Sequence, residues 1–231
     1  MDDHTERSGK VRAPRIGADD AVALCVQDGM RLMVGGFGLV GAPLTLIRAL
    51  NASPRKDLTI ISNNLGEAGK ALGETLRLGK VRCAIGSFFT SNPEVAEARA
   101  RGEIEITLIP QGTFAEAIRA AGAGLGGFYT PTGVGTLLAE GKEVREIGGK
   151  SYLLQEPLRA DVALVRAHRA DRLGNLVYYK TARNFNPMMA TAADVVIAEV
   201  DEVVEVGQLD PEAVVTPHLY VDYLVLAEER L

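Results

Sequence analysis

The first half of the chain alternates short apolar runs with segments that carry apolar residues at helical spacing. The apolar runs predict strands over residues 31–34, 58–62, 81–86 and 104–109. The segments that follow them repeat apolar residues every three or four positions, which predicts helices over 43–51, 67–78, 93–101 and 113–121. Alternation of apolar strands with helices is typical of a parallel sheet that is covered on both faces.

The second half carries more strand-like runs and fewer helical ones. Its patterns predict strands over 151–154, 162–168, 176–179, 195–200, 203–206 and 219–226, with one short helix over 187–193. Between the halves, residues 121–136 hold six glycines but also Phe128, Tyr129 and Val134. A connection of this length is usually either functional or disordered, and the large apolar side chains argue against disorder.

These patterns predict one α/β domain over residues 16–231, preceded by a flexible tail over residues 1–15. The sheet is expected to be mostly parallel and covered by helices, with a more β-rich C-terminal half. A chain of 231 residues is long enough for one large domain with a sizeable core. No apolar run is long enough to span a bilayer, and the polar start does not resemble a signal peptide, so we expect no membrane association.

Charge and cysteine usage narrow the expected partners and compartment. The net charge of −5 argues against a nucleic-acid partner, because such partners usually need a basic stripe. Cys25 and Cys83 lie apart in apolar surroundings, which suits reduced thiols and a cytoplasmic protein. His4, His168 and His218 show no metal-ligand spacing, so no metal site is expected. We interpret His168 as a strand histidine with a structural hydrogen bond.

A glycine motif follows the first predicted strand. The sequence VGGFGLVGAP, residues 34–43, contains G-x-G-x-x-G at Gly36, Gly38 and Gly41. In dinucleotide-binding proteins this motif is accompanied by an acidic residue at the carboxyl end of the second strand. That position here holds Ser-Asn-Asn (62–64), so no nicotinamide or flavin cofactor is expected. The favoured interpretation is a tight turn that packs a helix close to a sheet.

Neutral polar residues follow the other strands of the first half. Asn63 and Asn64 follow the second predicted strand, Ser87 the third and Gln111 the fourth. At the carboxyl ends of parallel strands such groups can bind a carboxylate, polarise a carbonyl or hold an oxyanion, although each also fits a plain turn or surface residue. They include no activated nucleophile, and the sequence has no G-x-S-x-G elbow. The set therefore suggests half of an active site.

Residues 28–43, DGMRLMVGGFGLVGAP, resemble the first signature of the family I coenzyme A transferases. The resemblance continues, in order, through SNN (62–64), PQGT (110–113), TPTGVGT (130–136), ARNFNP (182–187) and TP (216–217). It covers the chain from about Ile16 to the C-terminus. The chain is similar in particular to the A (alpha) subunits of 3-oxoacid coenzyme A transferases. It implies the α/β fold of that family.

The resemblance also implies a covalent, ping-pong mechanism that needs a partner. A B (beta) subunit would carry a Ser-Glu-Asn-Gly motif, absent from this chain, whose glutamate attacks an acyl-CoA and later forms a glutamyl-CoA thioester. Asn63, Asn64 and Gln111 would face the acyl group or its carboxylate. The residues implied in binding the acyl group and CoA are Gly35, Gly36, Phe37, Gly38, Gly41, Thr132 and Gly133. CoA enters as a substrate thioester, and no resident cofactor is implied.

A heterotetramer with the B subunit is expected on the same ground, but the substrates stay open. Succinyl-CoA is the expected donor, and acetoacetate, 3-oxoadipate and short-chain fatty acids are candidate acceptors. An acetate or short-chain fatty acid transferase is therefore the alternative enzyme. Two further hypotheses are a ligand-sensing module of the same fold and a sugar-phosphate isomerase of similar fold. The isomerase would need a carboxylate or lysine base, and none follows these strands.

Overall fold

The computed structural model describes residues 13–229, which form an α/β domain. The strands are β1 (Arg31–Val34), β2 (Leu58–Ile61), β3 (Val81–Gly86), β4 (Glu105–Leu108), β5 (Phe128–Thr130), β6 (Val144–Ile147), β7 (Lys150–Gln155), β8 (Ala160–Asp171), β9 (Leu176–Val177), β10 (Ala193–Val204) and β11 (Tyr223–Leu226). The α-helices are α1 (Ala18–Cys25), α2 (Leu44–Ala52), α3 (Leu72–Arg77), α4 (Pro93–Ala100), α5 (Gln111–Gly122) and α6 (Asn186–Thr191).

The main sheet is mostly parallel, as predicted, and takes strands from both halves of the chain. Its strands lie in the order β11-β10-β8-β1-β2-β3-β4, each parallel to its neighbour, and β9 adds an antiparallel strand beside β8. From β1 the chain proceeds outward to β4, and from β8 it proceeds outward in the opposite direction to β11. The boundary between β1 and β8 is therefore a topological switch point, where open α/β sheets bind ligands at the carboxyl ends of their strands.

Helices cover both faces of this sheet. Met33 of β1 packs in one core cluster with residues of α5 and α6, including Phe114, whereas its neighbours Leu32 and Val34 pack with residues of α1–α4 in a second cluster. Neighbouring strand residues point to opposite faces, so each strand contributes to both clusters. This arrangement confirms the prediction of a parallel sheet buried on both faces.

The third helix is shorter than the sequence pattern predicts. The prediction covers 67–78, but α3 is confined to Leu72–Arg77. Residues 66–71 form a tight turn instead, with φ angles of 60° at Gly66 and 68° at Gly69. The prediction is wrong over 67–71 because glycine adopts these left-handed conformations without strain, and they end the helical pattern.

β10 is one strand where the sequence pattern predicts two, over 195–200 and 203–206. It stays paired with β8 from the Ala193–Ala160 pair to the Val204–Asp171 pair. β8 and β10 both run well past the carboxyl end of β1. Val34, the last residue of β1, aligns with Leu164, and β8 continues to Asp171. β10 continues through Asp201 and Glu202, which separate the two predicted segments, because the Asp201 carboxylate is buried and paired with Arg166.

Three elements were not predicted, namely α1, β5 and β6. β5 lies within the glycine-rich connection 121–136 and pairs with β7 in a separate antiparallel sheet of order β5-β7-β6. These elements are short, and β6 is exposed along its whole length, so the sequence shows little of the burial pattern that marks a strand. The other predicted helices and strands are confirmed with shifts at their ends, except that the first half of 219–226 is not strand, because His218–Tyr220 form a 3₁₀ turn and β11 begins at Tyr223.

The predicted tail over residues 1–15 falls mostly outside the described residues, which begin at residue 13. The backbone N–H of Ala13 donates to the carbonyl of Leu173 (3.1 Å), and Arg15 forms a parallel bridge with Leu224. Residues 13–15 are thus held against β11 and the β8–β9 turn. Over residues 13–229, no helix combines the length and the apolar character needed to cross a membrane.

Arg166 of β8 forms a buried ion network with two acids of β10. Its guanidinium donates to Glu199 Oε1 (3.1 Å) and to Asp201 Oδ1, and none of the three side chains is more than 4% exposed. Burial raises the pKa of Glu199, although the N–H of Leu46 at the start of α2 donates to its Oε2 (3.0 Å) and opposes the shift, as does Arg166. Asp201 Oδ2 also bonds His168 Nδ1 (2.7 Å), which confirms the hydrogen bond expected for that histidine.

Arg166→Met is expected to lower the free energy of unfolding by about 3–5 kcal/mol, because it leaves two buried carboxylates without a cation. Arg169→Met is the matched control. Arg169 pairs with Glu202 across the same two strands but at the surface, where an ion pair contributes about 0–1 kcal/mol. Chemical denaturation of both variants measures the difference, and equal losses would contradict the importance given to burial.

Candidate active site

The carboxyl ends of β2, β3 and β4 bring the predicted polar residues into one hydrogen-bonded cluster. Asn63, just after β2, donates from Nδ2 to Ser87 Oγ after β3 (2.9 Å) and to Gln111 Oε1 at the start of α5 (2.9 Å). Ser87 Oγ also donates to Gln111 Oε1 (3.2 Å), and Asn64 Nδ2 donates to Asn63 Oδ1 (3.1 Å). The structure therefore unites the three residues proposed from the sequence as catalytic, and it adds Ser87.

The hydrogen bonds of this cluster run in one direction. They start at the backbone N–H of Gly66, which can only donate and which donates to Asn64 Oδ1 (2.8 Å). Asn64 must therefore turn its NH₂ group toward Asn63, and Asn63 in turn directs its NH₂ group at Gln111. The orientation of an amide side chain is decided by its hydrogen-bond partners. Because Gln111 Oε1 faces inward as the acceptor, its NH₂ group faces outward.

Gln111 ends this chain of amides at the surface. Its side chain is exposed, and its Nε2 has no hydrogen-bond acceptor within residues 13–229. Gln111 is also the first residue of α5, whose free N-terminal N–H groups add a positive potential at the same place. An outward NH₂ group donates and does not accept, so the site fits a carboxylate, a carbonyl oxygen or an oxyanion.

Asn63 and Asn64 lie further inside than Gln111. The two residues are 1% and 6% exposed, and both side-chain amides are occupied by the hydrogen bonds of the cluster. In this arrangement they orient Gln111, and the direct contact with an acyl group that the resemblance implies stays a prediction. The Ser87 hydroxyl bonds amides and has no carboxylate or imidazole partner within the described residues, so it is not an activated nucleophile.

The glycine motif forms a tight hairpin between β1 and α2, which confirms the predicted turn. The backbone N–H of Phe37 donates to the carbonyl of Val40 (3.0 Å). Gly36, Gly38 and Gly41 have φ angles of 119°, 63° and 69°, which strain residues that carry a side chain. These three glycines are thus explained by the conformation of the turn itself.

The base of this hairpin is packed and its tip is open. A side chain at Gly35 or Gly41 would collide with Asn186 or Asn184. A Cβ at Gly38, by contrast, would have nothing within 4 Å, and Phe37 at the tip is 50% exposed. Among the hairpin residues that the resemblance implies in binding, Phe37 and Gly38 are therefore free to contact a ligand, whereas the others shape the turn. Their binding roles stay predictions.

Thr132 and Gly133 lie apart from the cluster in the connection between β5 and β6. The N–H of Thr132 donates to Thr130 Oγ1 (3.2 Å), and Gly133 lies against Leu138 and Leu153. No hydrogen bond within residues 13–229 joins Thr132 or Gly133 to the chain of amides or to the glycine hairpin. Their implied part in CoA binding stays a prediction.

Two features near the site were missed by sequence reasoning. Arg166 and Glu199 belong to strands in which charged residues alternate with apolar ones, a pattern that normally indicates a solvated face. Asn184 and Asn186 enter the sequence prediction only as part of the ARNFNP segment, and their contacts with the glycine hairpin have no signal in the sequence. Among residues 13–229, no group of three or more His, Cys, Asp or Glu side chains is arranged to hold a metal ion.

Comparisons of the sequence with known proteins agree on one family. The profile of the family described as coenzyme A transferase matches residues 15–227. The chain is 49% identical to the alpha subunit of the acetate CoA-transferase of Escherichia coli K12, over 88% of this chain and 92% of the relative. It is 52% identical to the A subunit of the succinyl-CoA:3-ketoacid coenzyme A transferase of Xanthomonas campestris, over 90% and 86%. It is also 52% identical to the A subunit of the 3-oxoadipate CoA-transferase of Pseudomonas putida, over 87% of each.

Comparison with solved structures agrees with the expected fold. The acyl-CoA transferase of Escherichia coli O157:H7, solved as a thioester complex with CoA, matches with a TM-score of 0.84 at 24% sequence identity. The match covers 95% of this chain and 48% of that one, so this chain spans about half the length of the solved protein. At this identity the similarity shows the fold alone, which is the one expected. With the profile match and the close relatives, the chain belongs to the coenzyme A transferase family.

Proposed function

We propose that this chain is the A (alpha) subunit of a 3-oxoacid CoA-transferase. The enzyme would move CoA between an acyl-CoA, with succinyl-CoA as donor, and a 3-oxoacid such as acetoacetate or 3-oxoadipate. The observation that carries the proposal is the outward NH₂ group of Gln111, held by a chain of neutral amides at the carboxyl edge of the sheet. The names of the relatives at 52% identity support the same substrate class.

In the proposed mechanism a glutamate of the B subunit supplies the nucleophile. Its carboxylate attacks the thioester carbonyl, and the C–S bond breaks to give an acyl-glutamyl anhydride and CoA thiolate. The thiolate then attacks the glutamyl carbonyl of the anhydride, which forms a glutamyl-CoA thioester and releases the first acid as its carboxylate. The second half-reaction reverses these steps: the acceptor carboxylate attacks the glutamyl-CoA thioester, and the CoA thiolate then attacks the acceptor's acyl group in the new anhydride. Each attack places negative charge on a carbonyl oxygen, which the outward Gln111 NH₂ group would stabilise.

The assembly proposed for this enzyme is an A–B pair, with two pairs forming a heterotetramer. The B subunit would carry the Ser-Glu-Asn-Gly motif and would cover the edge at which Gln111 and Phe37 are exposed. We place the enzyme in the cytoplasm, which is supported by Cys25 and Cys83, since neither forms a disulfide among the described residues. The names of the relatives, which describe each as an A or alpha subunit, support the need for a second subunit.

Assembled with its B subunit, the chain is expected to transfer CoA from succinyl-CoA to acetoacetate or 3-oxoadipate. We expect kcat/KM for these acids to exceed that for acetate at least about tenfold, because acetate lacks the 3-oxo group, whose oxygen would accept the second N–H of Gln111 while the first faces the reacting carbonyl. Initial rates of acyl-CoA formation measure this preference. Acetate as the best acceptor would favour the acetate transferase, and no transfer to any of these acids would refute the proposal.

Substitution of Gln111 tests the outward donor directly. Gln111→Ala in the assembled enzyme is expected to lower kcat by ~10²–10³. Gln111→Glu has the same shape and can still accept hydrogen bonds from Asn63 and Ser87, but it replaces the outward NH₂ group with an oxygen, so it should lose at least as much activity. Both variants should keep their melting temperature because the side chain is exposed. Full kcat in Gln111→Glu would rule out the assigned role.

Trapping of the covalent intermediate tests where the bond forms. With the acceptor acid left out, acyl-CoA should convert the assembled enzyme to the glutamyl-CoA thioester, and borohydride should reduce this thioester and abolish activity. Mass spectrometry of the separated subunits should then find the change on a glutamate of the B subunit. The reference is the same enzyme treated with borohydride without acyl-CoA. A stoichiometric adduct on this chain would contradict the division of roles.

A further inference from the structure

Asn184, in the ARNFNP segment, contacts both arms of the glycine hairpin through one side chain. Its Oδ1 accepts a hydrogen bond from the backbone N–H of Gly36 (3.1 Å), where the chain enters the hairpin. Its Nδ2 donates to the carbonyl of Val40 (3.0 Å), where the chain leaves it. A single planar amide thus ties the two arms together beside the hairpin's own Phe37–Val40 hydrogen bond, and it lies 144 residues away from Val40 in the sequence.

The backbone of Asn184 is held in a conformation that favours glycine. Its φ and ψ angles are 23° and −118°. The surrounding contacts impose this conformation, because its N–H donates to Thr181 O (3.2 Å), its Nδ2 also donates to Ala182 O (3.1 Å), and its Oδ1 also accepts from the N–H of Phe185 (2.7 Å). Backbone strain of this kind persists only where the structure enforces it, and it occurs most often at functional sites.

The neighbouring Asn186 fixes the base of the same hairpin. It is fully buried, and its Nδ2 donates to the carbonyl of Gly41 (3.0 Å) while its Oδ1 accepts from the N–H of Arg166 in β8 (2.8 Å). Gly35 passes so close to this side chain that any Cβ there would collide with it. The hairpin base is therefore tied to β8, and Asn184 ties the upper part, which the Phe37–Val40 hydrogen bond closes, to the ARNFNP segment.

We propose that Asn184 is a positioning residue that holds the glycine hairpin so that Phe37 and Gly38 present a fixed surface to the acyl-CoA. The amide holds the arms together, and the tip it supports is the exposed part of the hairpin. The role toward acyl-CoA rests on the proposed function. The clamp, meaning the pair of hydrogen bonds from Asn184 to Gly36 and Val40, does not. Asn184 itself needs no contact with the substrate, since it acts through the hairpin.

Asn184→Gly separates the effect of losing the side chain from the effect of backbone strain. Glycine adopts the observed φ angle easily, so the variant should fold with a melting temperature close to that of the wild type, but it lacks both hydrogen bonds to the hairpin. Asn184→Asp is the second variant, because it retains the acceptor for Gly36 and loses the donor to Val40. Asn175→Ala is the control: Asn175 also bridges two segments, Asp171 and His218, but away from the hairpin.

The first measurement is amide hydrogen exchange on the full chain. Loss of the clamp should speed exchange in peptides that cover residues 35–42 at least about tenfold, with the core strands unchanged. The second measurement is steady-state kinetics of the enzyme assembled with its B subunit. A misplaced hairpin should lower kcat ~10–10²-fold with a smaller change in KM, because the substrate still binds but is misaligned. Asn175→Ala should show neither effect.

The outcomes separate the two proposals. Unchanged exchange over residues 35–42 in both Asn184 variants would overturn the clamp. Faster exchange with wild-type kcat would overturn the positioning role, and so would an equal loss of kcat in Asn175→Ala. If the wild-type assembly transfers no CoA, the proposed function fails, while the exchange measurement on this chain still decides whether Asn184 holds the hairpin. If Asn184→Gly does not fold, the same measurements on Asn184→Asp decide.

Discussion

Parallel pairing of β1 with β2 on one side and with β8 on the other is the constraint on which the rest of the structure depends. Met33 aligns with Ile61 and with Ala163, so β1 and β2 end at nearly the same level, whereas β8 continues beyond them to Asp171. Because the strands point the same way, the residues after β2, β3 and β4 emerge at one edge, together with the glycine hairpin after β1. A register shift between β2 and β3, or between β3 and β4, would separate Asn63 from Gln111.

The two polar networks at this edge have different physical properties. The network of Arg166 carries full charges, whose burial is tolerated because each charge has a partner, and it fastens β8 to β10. The chain of amides carries no charge. It can therefore reach from the interior to the surface as long as each buried amide is hydrogen-bonded to the next. Its direction matters more than its strength. Because the backbone N–H of Gly66 can only donate, each amide in the chain is oriented in turn, and Gln111 presents its NH₂ group at the surface.

The sequence predicts the architecture well, because apolar strands and helical spacing are local signals. It also predicts which residues gather at the site, since residues that follow parallel strands meet at one edge. It does not predict the order within the chain of amides, because the orientation of Asn64 depends on a turn at Gly66 that the pattern assigns next to a helix. Nor does it predict the contact of Asn184 with Gly36 or that of Arg166 with Glu199, which join residues 148 and 33 positions apart. Such contacts follow from topology, which is settled only when the sheet has formed.

In the proposed enzyme, assembly of the subunits and activation of the site are the same event. The NH₂ group of Gln111 and the hairpin tip at Phe37 are exposed in this chain. Donors in contact with water stabilise an oxyanion much less than donors in a dry site, because water screens them and competes for their hydrogen bonds. A partner that covers this edge removes the water and delivers the attacking carboxylate together. Since neither half would be competent alone, a free subunit would not consume acyl-CoA by hydrolysis, which is the side reaction that a covalent mechanism must suppress.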